Sequence, residues 1–160
     1  MKEWGEIIKD ICNKICKKYN IKVENYLINP TGRFEIGGFE GDAGLTGRKL
    51  LIDNYHSFSK VGGGAFSGKD PTKVDRSAAY KARLIAVNYL KKYKLKWCSV
   101  SISYAIGIKE PLSISIDSNI GEIKVNKELY KECEPERIIE DLNLLNICYF
   151  DTAKYGHFIS

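Results

Sequence analysis

The chain has 160 residues, of which 44% are hydrophobic and 28% are charged. These values are ordinary for a globular protein and exclude wholesale disorder, while the short apolar runs exclude a membrane-spanning segment. The formal net charge of +5 falls short of the dense basic stripe of a nucleic-acid-binding protein. We therefore expect one domain, or two small ones that share a core, with neither nucleic acid nor a membrane as a partner.

The first predicted element is an amphipathic helix over residues 3–19. Cys12 and Cys16 lie on its apolar stripe, and we expect both to be buried in the core, as free cysteines commonly are. A metal site is the alternative for this spacing, and it would need two further ligands. The apolar side chains recur at spacings of three and four residues, and they are Trp4, Ile7, Ile8, Ile11, Cys12, Ile15, Cys16 and Tyr19.

The cysteine count bears on the cellular compartment. The chain has five cysteines, an odd number, and residues 1–4 lack the features of a signal peptide. Reduced thiols in a cytoplasmic protein are therefore the simplest interpretation.

After a short extended segment at 21–28 and a turn at 29–32, the chain becomes rich in glycine. Ten of the 14 glycines lie in two clusters, at 32–47 and 62–68, and a strand is predicted between them over 48–55. Arginine grips phosphate or carboxylate with two parallel hydrogen bonds, so a local excess of arginine indicates an anion site. Four of the five arginines fall in this third of the chain, namely Arg33, Arg48, Arg76 and Arg83.

The second half of the chain predicts helices around a sheet. A helix is expected over 71–93, with Asp70 as its N-cap and Pro71 in the first position. Two strands with alternating apolar and small polar residues follow, at 99–106 and 112–116, and then short helices at 126–133 and 136–142. This order predicts an α+β fold of two layers, with the helices on one face of the sheet.

The segment 62–70 is the strongest candidate for a binding site. Its glycines allow backbone N–H groups to point together at an anion, and Lys69 and Lys73 flank the start of the following helix, which itself favours anions. The spacing from Gly63 to Lys69 is that of a nucleotidase phosphate-binding loop, but Asp70 replaces the Ser or Thr that would hold magnesium. A purely structural glycine-rich turn remains the alternative.

The first glycine cluster carries further candidates, whose roles the residues alone leave open. Phe34 suits stacking on a base, and Arg48 and Lys49 suit an anion. Equally, Phe34 suits a core position and Asp42 a turn.

Five segments of the chain, in order, resemble the S-adenosylmethionine synthetase family. They are NPTGRF at 29–34, GDAGLTGRK at 41–49, GGGAFSGKDPTKVDRS at 62–77, SYAIG at 103–107 and AKYGHF at 153–158. The resemblance covers essentially residues 22–158 and implies βαβ-type repeats, of which this chain holds about half. It assigns the ATP-, triphosphate- and methionine-binding region to 21–160, after the amphipathic helix at 1–20 that the residue spacing predicts. It also implies formation of S-adenosylmethionine from ATP and L-methionine, with release of phosphate and diphosphate.

The resemblance further implies a role for each matching residue. The residues implied in catalysis are Arg48, Lys49 and Lys69. Methionine would be bound by Asp42 and Lys73, and Mg²⁺ by Asp75. The residues implied in binding ATP are Arg33, Phe34, Asp42, Arg48, Lys49, Ala65 and Lys69.

The resemblance covers the C-terminal portion of the family, whose K⁺ site and first magnesium ligand lie in the N-terminal region. The family's active site lies between two subunits, so we expect a homo-oligomer or a hetero-oligomer with an N-terminal synthetase chain. Three hypotheses follow: a subunit that is active only with such a chain, an inactive gene remnant, or a non-catalytic module that binds ATP or triphosphate.

Overall fold

The computed structural model describes residues 2–32, 35–41, 50, 59–153 and 156–158. The chain divides into two compact units, one formed by Met1–Asp42 with Ala105–Ile108 and the other by Ala43–Tyr104 with Lys109–Ser160. Among the helices in the described residues, none is both long and apolar enough to cross a membrane.

The first unit contains the predicted amphipathic helix, here α1 (Lys2–Lys18), and the single turn of helix α2 (Gly38–Gly41). The prediction that Cys12 and Cys16 are buried in a core is wrong, because both are only half-buried. The stripe on which they lie is largely exposed, with Trp4 67% and Ile15 53% accessible. The predicted turn at 29–32 is confirmed, since the Gly32 N–H donates to the Asn29 carbonyl at 2.8 Å.

The second unit contains a small antiparallel sheet. Strand β1 (Cys98–Ser103) pairs with β2 (Ser113–Ser118), and β2 pairs on its other edge with the short β3 (Gly121–Glu122). The register places apolar residues opposite one another, with Val100 opposite Ile116 and Ile102 opposite Ile114. The alternation predicted from the sequence therefore holds, except that Ile106 lies in a turn beyond β1, Leu112 lies just before β2, and both are exposed.

Helices cover the apolar face of this sheet. Helices α3 (Val74–Lys92) and α4 (Lys127–Glu132) pack on this face, α5 (Pro135–Asp141) packs against α3, and a 3₁₀ turn follows at Tyr149–Thr152. Ile85 of α3, Ile116 of β2 and Leu129 of α4 belong to one buried cluster. On the opposite face the serines pair, for example Ser101 with Ser115. The α+β architecture with helices on one face of a sheet is thus confirmed.

The start of α3 differs from the prediction. The helix begins at Val74, three residues later than expected, and Lys73 occupies the N-cap position without a side-chain capping bond. Asp70 instead closes a turn of its own, because its Oδ1 accepts a hydrogen bond from the Thr72 N–H at 2.8 Å. Asp70 followed by Pro71 is therefore a turn signal here and not a helix start. The strand predicted over 48–55 lies outside the described residues except for position 50.

Candidate phosphate-binding site

The glycine-rich loop, defined here as residues 62–69, ends in a tight turn before α3. The Lys69 N–H donates to the Phe66 carbonyl at 3.1 Å, which closes the turn. Gly68 lies within it at φ +74°, a left-handed conformation that suits a residue without a Cβ. The turn carries the Lys69 side chain toward the beginning of the helix.

Lys69 and Asp75 form an ion pair across the start of α3. The Lys69 Nζ lies 2.5 Å from the Asp75 Oδ2, and the Asp75 side chain is about half exposed. A Cβ at Gly64 would overlap the Asp75 carboxylate, so the loop approaches the helix this closely only because Gly64 has no side chain. The sequence predicted that Lys69 lies at the helix start, and the structure adds its ion pair with Asp75.

Lys73 lies at the N-terminus of α3 with an exposed side chain. Its Nζ donates to the Thr72 Oγ1 at 3.5 Å. A helix start carries partial positive charge and N–H groups without intrahelical partners, and an adjacent ammonium strengthens its attraction for an anion. The region from the glycine-rich loop to Lys73 thus combines two lysines, flexible backbone and a helix N-terminus.

A cleft of about 700 Å³ extends from this region along α3 to β1. Gly62, Gly64 and Asp75 line one end, and the small side chains of Ala78 and Ala82 line its helix side. Its volume is that of an ordinary small-molecule site. The described residues that line it include neither Lys69 nor Lys73, so Asp75 is the side chain that links the ion pair to the cleft.

Four of the nine predicted site residues lie in the described part of the chain. These four are Ala65, which is half-buried within the glycine-rich loop, and Lys69, Lys73 and Asp75. The remaining five lie outside the described residues, and they are Arg33, Phe34, Asp42, Arg48 and Lys49.

Arg76 is a contact residue of the glycine-rich loop that the sequence did not single out for a role. Its Nη2 donates to the Phe66 carbonyl at 2.8 Å, and its guanidinium carbon lies 4.3 Å from the centre of the Tyr149 ring. The excess of arginine in this region was visible in the sequence. Its stacking on Tyr149 was not, because that ring comes from a distant part of the chain.

His157 is buried behind the same loop. Its ring stacks on Tyr80 of α3, with the ring centres 4.0 Å apart and the planes within 3° of parallel. Burial, together with the positive charges of Arg83 and Arg76, lowers the pKa of His157 to about 4. The imidazole is therefore neutral at physiological pH, and it serves as an aromatic packing surface.

The donor set around Asp75 suits magnesium only in part. Within the described residues, no group of three His, Cys, Asp or Glu side chains is placed to hold a metal ion. Mg²⁺ keeps several waters and commonly binds through one or two carboxylates together with substrate phosphates. A half-exposed carboxylate beside the glycine-rich loop fits that arrangement, provided that phosphate oxygens supply further ligands and the Lys69 ammonium shifts from Asp75 toward the phosphate.

Comparisons with known proteins agree with the resemblance seen in the sequence. The family model described as "S-adenosylmethionine synthetase, C-terminal domain" matches residues 36–160. The S-adenosylmethionine synthase of Clostridium tetani is 47% identical over 96% of this chain and 42% of its own length. That of Prochlorococcus marinus is 44% identical over 97% of the chain and 41% of its own length. The chain thus spans about two fifths of the curated relatives that it matches, and it belongs to the S-adenosylmethionine synthetase family, with the family's C-terminal domain from residue 36 onward.

Proposed function

We propose that this chain is the C-terminal subunit of an S-adenosylmethionine synthetase and is active only together with a chain that carries the family's N-terminal region. The reaction would join ATP and L-methionine into S-adenosylmethionine and release phosphate and diphosphate. The observation that carries this proposal is the Lys69–Asp75 pair at 2.5 Å, between the glycine-rich loop and the start of α3. Both residues belong to the segment 62–77 that resembles the family, in positions with implied roles in binding ATP and magnesium.

The proposed chemistry needs positive charge where the triphosphate leaves. Negative charge develops on the leaving oxygen as the bond to C5′ of ATP breaks, and a pre-positioned ammonium stabilises it by roughly 3 kcal/mol. We assign this role to Lys69 together with Arg48 and Lys49. Asp75 holds the Lys69 ammonium in place before a nucleotide binds, and an Mg²⁺ ion at Asp75 would neutralise further phosphate charge.

The remaining site residues are assigned to recognition of the substrates. Lys73 is exposed at the helix N-terminus, where its ammonium suits the carboxylate of L-methionine. Asp42 would contact both methionine and ATP. The further contacts to ATP are assigned to Arg33, Phe34 and Ala65.

The exposed stripe of α1 supports association with another polypeptide. Trp4, Ile7, Ile11 and Ile15 are between 42% and 67% accessible, although they follow the spacing of a helix face that is normally buried. The two relatives align with 96% and 97% of this chain, so they carry a counterpart of this helix within much longer proteins. We propose that an N-terminal synthetase chain covers the stripe and carries the K⁺ site. We also propose that the assembly works in the cytoplasm.

Mixing experiments test the proposal. The full chain and the N-terminal region of the Clostridium tetani relative are assayed separately and together for S-adenosylmethionine formed from ATP and L-methionine. We expect product only in the mixture, and a rate lowered about 100-fold by Lys69→Ala, equivalent to about 3 kcal/mol. Lys124→Ala, at an exposed lysine of the same unit, is the matched control and should leave the rate unchanged.

The other outcomes separate the remaining hypotheses. If the chain binds inorganic triphosphate but the mixture makes no product, the chain is a non-catalytic binding module. If it neither binds triphosphate nor supports turnover, it is an inactive remnant, and the proposal is wrong.

A further inference from the structure

We propose that Arg76 is a positioning residue, which holds the glycine-rich loop against α3 and so places Lys69 for a polyphosphate. The identity of the ligand rests on the proposed function, whereas the holding of the loop rests on contacts within this chain. Arg76 is assigned no contact with the ligand itself.

One backbone oxygen joins the loop, the lysine and the helix. The Phe66 carbonyl accepts a hydrogen bond from the Arg76 Nη2 at 2.8 Å and another from the Lys69 N–H at 3.1 Å. Arg76 follows Asp75 directly, and Asp75 holds the Lys69 ammonium at 2.5 Å. Two successive residues of α3 therefore hold the backbone and the side chain of the same turn.

The Arg76 guanidinium is held between two aromatic rings. Its central carbon lies 4.3 Å from the centre of the Tyr149 ring and 5.3 Å from that of Phe66. Its Nε is buried and, among the described residues, makes no hydrogen bond. A flat guanidinium stacks on a ring and donates a hydrogen bond at its edge simultaneously, which a single ammonium does not reproduce.

The Phe66 ring is itself anchored in a second buried cluster of the unit, formed by Ala78, Tyr80, Ile138 and Leu144. It packs against Tyr80, at 5.9 Å between ring centres, and against His157, at 5.5 Å. Glycine-rich backbone loses much conformational freedom when it is ordered, so an unanchored loop would have to be ordered by the ligand. Arg76 and Phe66 together order the turn before the ligand arrives.

The choice of substitution separates the effect of the positive charge from that of the planar guanidinium. Inorganic triphosphate is titrated calorimetrically into the full chain and into Arg76→Lys and Arg76→Met. We expect both variants to bind at least tenfold more weakly, because neither retains a planar guanidinium that packs on Tyr149 and donates to the Phe66 carbonyl. The matched control is Arg137→Lys, the same change at an exposed arginine of α5 whose partner is Asp141, and it should bind within twofold of the original chain. Normal binding by Arg76→Lys would show that charge alone suffices, and it would overturn the proposal.

A second measurement needs no ligand. Amide hydrogen exchange at Lys69 should be at least tenfold faster in Arg76→Lys than in the original chain, while the amides of Ile85 and Ala86 within α3 keep their protection and show that the variant is folded. Unchanged exchange at Lys69 would overturn the proposal even if triphosphate binding fell. If the original chain does not bind triphosphate, turnover by the mixture with the N-terminal region still decides the proposed function, and the exchange measurement decides whether Arg76 holds the loop.

Discussion

The two long helices of the molecule differ in the relation between their sequence pattern and their burial. Helix α1 has a continuous stripe of large apolar residues, yet Trp4 and Ile11 are 67% and 50% accessible. Helix α3 has a weaker pattern, rich in alanine and lysine, yet it provides buried residues to both apolar clusters of its unit. Buried Lys81 of α3 even lies within 3.4 Å of Glu132 and 3.6 Å of Asp141.

The difference shows that an apolar stripe indicates which face of a helix will be buried but not which polypeptide will bury it. The stripe of α1 meets no sufficient apolar surface within the described part of this chain. The face of α3 does, because β1 and β2 present Val100, Ile102, Ile114 and Ile116 to it. Small side chains on α3 let the sheet come close, so strong amphipathicity is unnecessary there.

The largest expected effect is on the free energy of unfolding, and it comes from making the same Ile→Ala substitution in each helix. Ile85→Ala in α3 removes a side chain that is 4% accessible, and it should lower the free energy of unfolding by about 3 kcal/mol. Ile11→Ala in α1 should change it by less than about 0.5 kcal/mol, because Ile11 is half exposed in the isolated chain. Urea denaturation followed by circular dichroism measures both. Equal losses would contradict the distinction between the helices.

Acidification should weaken the packing of α3 through His157. The pKa of His157 is lowered to about 4, mainly by burial, whereas an unfolded histidine titrates near 6.5. Between these values the unfolded chain binds a proton that the folded chain does not bind. The histidine's contribution is therefore complete above pH 6.5 and is lost as the pH falls toward 4, by about 3 kcal/mol.

Urea denaturation at pH 7.5 and pH 4.5 measures this loss. His157→Phe keeps an aromatic ring against Tyr80 and removes the titration, so the variant should lose less stability on acidification than the original chain. Carboxylates titrate in both proteins and cancel in the comparison. The same loss in both would show that His157 is not the group responsible.

Most of the fold could be predicted from the sequence because its signals are local. Alternation located β1 and β2, and helix periodicity located α1, α4 and α5 to within about two residues. The start of α3 was missed because Asp-Pro serves equally as a helix start and as a turn. Only the hydrogen bond that Asp70 accepts from the Thr72 N–H decides between them. The prediction that Cys12 is buried was wrong because burial depends on a partner surface that periodicity does not describe.

The candidate site could be predicted only in part, for the same reason. The glycines, Lys69 and the helix start are adjacent in sequence, so their proximity is a local property. The Arg76–Tyr149 contact is a tertiary property, because it joins residues that are 73 positions apart. Spacing and composition carry no information about such a pair.

Association with an N-terminal synthetase chain should bury the apolar stripe of α1 and so remove the difference in burial between the two helices. If an N-terminal synthetase chain covers the stripe of α1, Ile11→Asp should weaken its binding at least tenfold, equivalent to about 1.4 kcal/mol or more, because it places a charge in an apolar interface. Lys14→Gln, at an exposed position of the same helix off the stripe, changes the net charge by the same one unit and is the matched control. Analytical ultracentrifugation of the mixture measures both. Equal weakening by the two variants would show that charge, and not the apolar stripe, determines association.

The smallest expected effect concerns the helix caps, and it tests whether packing alone determines the position of α3. The Asn126 Oδ1 accepts a hydrogen bond from the Leu129 N–H at 3.0 Å and caps α4, whereas α3 has no side-chain cap. Asn126→Ala should therefore lower the free energy of unfolding by about 1 kcal/mol, the usual value for a lost cap. Asp70→Ala should have a smaller effect, because Asp70 closes a turn outside the helix. Thermal denaturation followed by circular dichroism ranks the two variants. If Asp70→Ala causes the larger loss of stability, the turn at 70–72 stabilises the start of α3 as a cap would. The helix would then depend less on its packing against the sheet than its buried face indicates.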